Sequence, residues 1–354
     1  MAYTTIDDPS VYFQTKIYTG NATDDTAYTN DGNSDLQPDL LWVKNRSVAV
    51  DHVWFDSTRG VTKNIRSNSA NTESTNSNYL KSFNSDGFTM GTSSRVNGNT
   101  NNMVAWQWKA NGGTRTTFSE SGNNPAGGYQ ANTTSGFSIV DYTGTGGNGT
   151  VAHGLGAVPH VMLFKCRSVG YHWIMYHQKL TSAPETDGIK LDVAESTGDY
   201  IFYFQDTAPT SSVFTLGTSG AGDSGFNDDG ATNMAYLWTE KQGFSKFGTF
   251  KGNNKADGVF IYTGFKPAFF LWKRYDHSSG WGLIDSTRNP TNQGFYQAFP
   301  HDTGEGNYAL GDFVSNGIKM RNTFGDTNSE NPYIYMAFAE NPFVSSEGVP
   351  CTAR

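Results

Sequence analysis

The sequence predicts an all-β protein built from three tandem, divergent β-sandwich units. Three observations carry this expectation. First, the 354 residues include 40 glycines, 14% are aromatic and only 16% are charged. Short strands joined by Gly, Asn, Ser and Thr turns around aromatic cores need this composition, whereas a disordered chain is poor in aromatics and rich in charge. Second, one strand-like string occurs three times, as PDLLWVK (38–44), PHVMLFK (159–165) and PAFFLWK (267–273). Third, apolar residues recur two apart downstream of each copy, the spacing of a strand rather than a helix.

The elements can be justified in chain order. Strand-like VYFQTKIY (11–18) opens the chain, and its YTG (18–20) returns at 142–144; FKG (250–252) takes that place in the third copy. Tyr142 precedes Pro159 by the same separation as Phe250 precedes Pro267, while the first copy is longer by a small insertion around DDTAYTNDGNSD (24–35). In the proline-led strings, Pro is tolerated because a first strand residue need not donate to the ladder. The nearly continuous apolar run that follows predicts a strand covered on both faces. A Trp follows each Lys, at Trp54, Trp173 and Trp281, and the sequence equates these three. Next come DGFTMGT (86–92), SVFTLGT (212–218) and NGIKMRN (316–322), whose pairs Phe88/Met90, Phe214/Leu216 and Ile318/Met320 alternate as a strand does. Each copy closes on an aromatic strand: MVAWQWK (103–109), MAYLWTE (234–240) and YIYMAFA (333–339). The units are therefore placed at 1–115, 129–242 and 243–354, with a Gly/Asn/Ser-rich linker at about 110–128 and a short join at KQGFSKFG (241–248). At this size each unit is expected to hold its own sandwich core, so that removing the third would leave the first two folded.

Charge and cysteines narrow the function. A net charge of −8 and a pI near 5.3 argue against the phosphate backbone as partner, so no nucleic acid is expected. No apolar run approaches the ~20 residues that span a bilayer, so no membrane insertion is expected, and MAYTTIDDPS shows no signal peptide. Cys166 and Cys351 form no metal or redox spacing. Stability then has to come from packing, with synthesis in a reducing cytoplasm.

Chemistry-bearing patterns are few. Asp-Ser-Thr-Arg occurs at 56–59 and 285–288, each time after a Trp, but the matching stretch of the second copy reads HWIMYHQKL (172–180). A strand-ending turn, held by Asp and Ser/Thr hydrogen bonds to the backbone with Arg paired to the Asp, accounts for this better than a catalytic unit. Replacing Asp56 or Asp285 by Ala should then cost ~1 kcal/mol, one turn hydrogen bond. His52, Asp56 and Ser57 do not make a triad, because His52 and Ser57 sit at odd spacing and face opposite sides of a strand. His172 and His177 fail as a metal pair for the same reason, and His153 and His160 flank a strand start. A glycosidase needs two facing carboxylates, and none of the 33 acidic residues can be singled out. No catalytic residue is nominated, no binding residue can be named, and no cofactor is expected apart from calcium. The calcium candidates are Asp31, Asn33 and Asp35 of DGNSD, which match the first ligands of a calcium loop but lack its Gly at six and Glu at twelve. The acidic loop DSGFNDDG (223–230) is a further candidate, and both loops also read as solvated turns.

One resemblance adds to this. GTVAHGLGAVPHVMLFKCRS with YHWIMYH (149–177), GFSKFGTFKGNNKADGVFIYTGFKPAFFLWKR (243–274) and the closing YIYMAFAENPFVSSEGVPCTAR (333–354) resemble, in order and at length, a family of tailed-bacteriophage virion structural proteins. The resemblance spans the second and third copies almost fully and the first more loosely. It implies a tail-fibre-like, concanavalin-like sandwich protein that is not an enzyme, resides in the virion and is assembled in the host cytoplasm. Its partners would be other virion proteins and host cell-surface glycan. The expected role is tail-associated, as a tail fibre, receptor-binding or adaptor protein. A capsid decoration or head-fibre protein is the alternative, and a polysaccharide depolymerase is disfavoured. Few residues precede the first strand and no heptads are present, which weakens a long-fibre role. A homo-oligomer, a trimer by analogy with such proteins, is expected, although three tandem copies can equally build threefold symmetry within one chain.

Overall fold

The structure, a computed structural model, describes residues 2–218 and 225–351; of these, the Phe295 side chain is not described. The fold is all-β, with two four-residue α-helices at Ser94–Asn97 and Ile201–Phe204 among the described residues. All three proline-led strings are strands, at Leu40–Asn45, Val161–Cys166 and Phe265–Arg274. All three aromatic strings are closing strands, at Asn102–Trp108, Thr232–Trp238 and Pro332–Pro342.

The same four-strand order is found three times. A first strand (Phe13–Thr19, Phe137–Thr143 or Ser245–Lys251) pairs antiparallel with the closing strand. The closing strand pairs on its other side with the proline strand. The proline strand then forms a hairpin with Val53–Asp56, Ile174–His177 or Trp281–Asp285. The first sheet stops there, whereas the second and third extend to eight strands. Residues 110–128, expected as linker, contain the strand Thr116–Phe118, which pairs with Gly127–Asn132 at the edge of the second sheet.

Both faces of these sheets are covered, as the apolar runs predicted: Leu40–Asn45 and Val161–Cys166 are buried at every position. Alternation sorts the side chains. In the first sheet Leu41, Val43, Val53 and Phe55 face outward onto Leu80, Phe88 and Met90 of a small three-stranded sheet. In the second, Met162, Phe164, Ile174 and Tyr176 pack on Val151, Phe214 and Leu216 of a two-stranded sheet. In the third, the strand Gly317–Met320 stays hydrogen-bonded within the large sheet, and Ile318 and Met320 join its core.

The inner faces of all three sheets meet in one core. Trp42, Trp54, Trp106, Trp108, Leu163, Met175, Trp238, Phe269, Leu271 and Phe338 belong to a single buried cluster. The register makes their positions equivalent. Trp42 faces Trp54 and Trp106, Leu163 faces Met175 and Tyr236, and Leu271 faces Leu283 and Met336. Trp108 meets Phe269 and Phe338 edge-on, both at 5.6 Å, and Trp238 at 6.2 Å. A void of about 10 Å³ with apolar lining is left between Trp42, Leu163 and Leu271. That is at the lower limit for one water, and without polar partners such a void stays dry.

This corrects the expectation of self-contained cores. The outer layers of the first and second segments are private, whereas that of the third runs on into the inner core, which all three share. The register also corrects the Trp equivalence. Lys273 faces Trp281, and the position after the Phe164–Ile174 pair is Trp173, whereas the position after Val43–Val53 is His52. Trp54 instead matches Met175 and Leu283.

The N-terminal segment joins the third sheet's surroundings to the first. Tyr3 donates its hydroxyl to the Gly264 carbonyl at 2.6 Å, Thr4 donates to the Gln242 carbonyl at 2.8 Å, and Asp7 accepts from the Ser346 backbone N–H at 2.7 Å.

Because the inner core is shared, the chain should unfold in one cooperative thermal transition. A chain ending before Gly243 would expose Trp106, Trp108 and Trp238 and should lose its cooperative transition by calorimetry and near-ultraviolet circular dichroism. Retention of a sharp transition would show that two sheets suffice.

Candidate functional site

The Asp-Ser-Thr-Arg pair turns out to be a structural clasp used twice. At both places the Asp ends the hairpin strand, and its Oδ1 accepts the backbone N–H of the Arg three residues on, at 2.9 Å for Arg59 and 2.7 Å for Arg288. Its Oδ2 takes the guanidinium Nε at 2.5 Å, with all four side chains fully buried. Nη2 of the same Arg reaches back to the strand, to the Trp54 carbonyl at 3.1 Å and the Leu283 carbonyl at 3.3 Å.

The same carboxylates also tie neighbouring sheets together. Asp56 Oδ2 accepts the Tyr236 hydroxyl of the second sheet at 2.7 Å, and Asp285 Oδ2 accepts the Trp106 indole N–H of the first at 3.1 Å. Tyr236 and Trp106 hold the same register position in their closing strands. The second sheet completes the circuit with His177, which faces Val161 as Asp56 faces Leu40 and Asp285 faces Phe269. His177 Nε2 lies 3.1 Å from the Tyr335 carbonyl of the third sheet. First to second, second to third and third to first, the residue at one position reaches the next closing strand.

Further polar groups cross the same boundaries. Glu73 binds Arg167 of the second sheet at 2.9 and 3.0 Å and Arg59 at 3.4 Å. Glu305 binds Arg288 at 2.6 Å and Arg46 of the first sheet at 3.1 Å. Trp173 donates its indole N–H to the Arg66 carbonyl at 2.7 Å, and Trp281 donates to Lys190 at 2.8 Å. His52, which replaces a Trp at that position, accepts from Trp42 Nε1 at 2.9 Å, and its buried Nε2 has no partner among the described residues.

The three strand-ending lysines are buried side by side with this network. Lys44 bonds the Asn45 and Val50 carbonyls, Lys165 those of Ala70 and Tyr171, and Lys273 that of Ser279. Burial lowers each to about 8, against the pull of nearby carboxylates such as Glu305 on Lys44, Asp192 on Lys165 and Asp326 on Lys273. Sequence reading passed over these lysines, although their invariant place at the end of an apolar strand was visible.

The other sequence candidates are placed plainly. Ser57 donates to Asp39, not to His52. His172 pairs with Asp192 at 2.8 Å, and His153 sits beside the Thr210 carbonyl and the Leu155 N–H. His160 Nδ1 accepts from the Glu240 N–H. Asp31 binds Lys16 through both oxygens at 2.7 Å, and Asn33 and Asp35 are exposed. No group of three or more His, Cys, Asp or Glu side chains that could hold a metal is formed among the described residues. Of the loop 223–230, Asp223 lies outside the described residues, and Asp228 accepts from the Tyr171 hydroxyl at 2.6 Å. Both cysteines are free thiols.

One solvent-facing hollow differs from this closed interior. It lies on the third sheet, where Gly294–Ala298 and Glu305–Val314 pair, and is bounded by Gln297, Phe299, Tyr308, Phe324, Asp326 and Thr327. Its empty volume is about 570 Å³, open to solvent. Tyr308 and Phe324, each 48% exposed, meet edge-on at 5.6 Å and 78°. No sequence pattern marked it, because Tyr308 and Phe324 belong to segments with no counterpart in the repeat.

A chain whose sheets interlock around one core is a β-sandwich structural body. It belongs to the family described as Domain of unknown function (DUF7483), whose pattern matches residues 8–342. No curated protein and no solved structure matches it.

The buried clasp revises the cost of losing its Asp. Removing one partner of a buried ion pair leaves an uncompensated charge, so Asp56→Ala and Asp285→Ala should each destabilise by about 3–5 kcal/mol in urea unfolding; a loss near 1 kcal/mol would return the motif to an ordinary turn. Burial also lowers the pKa of His52, His153, His160, His301 and His177, the last to about 4. The unfolded chain takes up these protons near pH 6.5 while the fold resists them, so stability is complete above that pH and is lost as pH falls from 6.5 towards 4. Urea midpoints measured at pH 7.5, 5.5 and 4.5 should fall in that order, and equal midpoints would refute the assignment.

Proposed function

We propose that the chain is a non-enzymatic structural protein of a tailed-bacteriophage virion, tail-associated as a fibre, receptor-binding or adaptor component. One observation carries the reading. The residues with the most chemical potential in the sequence, Asp56, Arg59, His177, Asp285 and Arg288, are spent on holding three sheets around one core. Such interlocking serves cohesion in a particle exposed to its surroundings. The collinear resemblance of residues 149–177, 243–274 and 333–354 to virion proteins supports the same reading. In this role the body would contact neighbouring virion proteins through its sheet edges and the host surface through loops.

The test is location. Gold-labelled antibody against the chain, imaged on intact virions by electron microscopy, should mark the tail end. Label spread over the head would make it a decoration or head-fibre protein instead, and virions without label would remove the proposal.

A further inference from the structure

We propose that the hollow on the third sheet is a binding site for a neutral saccharide. The inference does not rest on the virion reading and stands or falls separately from it.

The site is preorganised. Gly306 faces Gln297 across the strand pair, and a Cβ there would lie 2.5 Å from Tyr308 Cε2 and 2.9 Å from Phe299 Cζ. Only a residue without a side chain lets both rings lie over the strand. The opposite wall is equally fixed. Asn322 donates to the Ala309 and Leu310 carbonyls at 3.2 Å, Thr327 donates to Asn322 and to the Phe324 carbonyl, and Trp272 donates its indole N–H to the Asp326 carbonyl at 2.8 Å. Phe324 therefore projects from an anchored turn, and the aromatic walls need not be ordered when a ligand arrives.

The lining selects the ligand. Gln297 is 5% exposed, yet its side-chain amide makes no hydrogen bond among the described residues and borders the hollow. Its amide atoms reach the solvent of the hollow, where water satisfies them now and a ligand hydroxyl could replace it. Asp326 offers a carboxylate at the rim, one oxygen of which already accepts from Ser279 at 2.6 Å. Aromatic faces beside an amide and a carboxylate match a pyranose, which has a flat C–H face and hydroxyls around its edge. A purely apolar ligand would leave Gln297 unsatisfied. Among the described residues no Lys or Arg lines the hollow, and Asp326 stands at its rim, so an acidic sugar is disfavoured. The enclosed part of the hollow, about 280 Å³, lies just below the ~300–1,000 Å³ typical of small-ligand sites and suits a ligand of one or two sugar rings.

The whole chain would be applied to an array of neutral glucan, mannan, galactan and N-acetylglucosamine oligomers, and the strongest binder titrated by calorimetry. At least one neutral class should bind. Tyr308→Ala and Phe324→Ala should each weaken that binding about tenfold, the worth of one stacking contact, without moving the unfolding midpoint, since both rings are half exposed. Gln297→Leu should abolish binding, and Tyr262→Ala, an exposed aromatic outside this hollow, should leave it unchanged. An array with no binder, or binding that survives both Tyr308→Ala and Phe324→Ala, would overturn the proposal.

Discussion

Everything in this fold depends on the inner face of the central sheets being as apolar as the outer one. A sandwich sheet normally buries one face and wets the other. Here the strands Leu40–Asn45, Val161–Cys166 and Phe265–Arg274 are covered twice, on the inner face by the other two sheets and on the outer face by a layer that is separate in the first two segments and continuous with the core in the third. Indoles and phenyl rings fill the space where three curved surfaces converge, because large rigid side chains reach across such a gap and still pack edge to face. The residual void is small enough to show how closely they succeed.

A core of this kind creates an electrostatic problem that the clasps solve. Strand ends from three sheets bring polar groups into a region without water, where an unpaired charge is prohibitive. Asp56 with Arg59 and Asp285 with Arg288 neutralise each other locally and use their remaining lone pairs on a neighbouring sheet. His177 performs the same crossing without charge, since burial keeps its pKa at about 4. That explains why the second copy can lack Asp-Ser-Thr-Arg altogether: what the position requires is a side chain that reaches the next closing strand, and a neutral imidazole meets that requirement.

The contrast between the interior and the hollow at Tyr308 and Phe324 is informative about function. In the body, the aromatics face one another, and even the core indoles Trp54, Trp108 and Trp238 leave their N–H groups without a partner among the described residues. At the hollow, aromatics face solvent and a nearly buried amide is left open. Local rules of packing and satisfaction are relaxed where a protein meets a partner, and the third sheet relaxes them in an addition to the repeated four-strand plan.

Much of the architecture was legible in the sequence by itself. Composition set the all-β class, period-two alternation located Phe88/Met90, Phe214/Leu216 and Ile318/Met320, and the uninterrupted apolar runs after Pro38, Pro159 and Pro267 announced strands covered on both faces. These are local signals, since strand period and face burial are properties of a few consecutive residues. Tertiary structure alone decided what covers the second face, because a buried run looks the same whether its cover is private or shared. It also decided that His52 rather than Trp54 stands opposite Lys44, since register depends on hydrogen bonding between strands and not on spacing along one. The Asp-Ser-Thr-Arg motif was read rightly as a turn with an internal ion pair, but its reach to Tyr236 and Trp106 crosses some 180 residues of chain. The hollow on the third sheet joins Gln297, Tyr308 and Phe324 from three separate segments, and only the folded sheet brings them together.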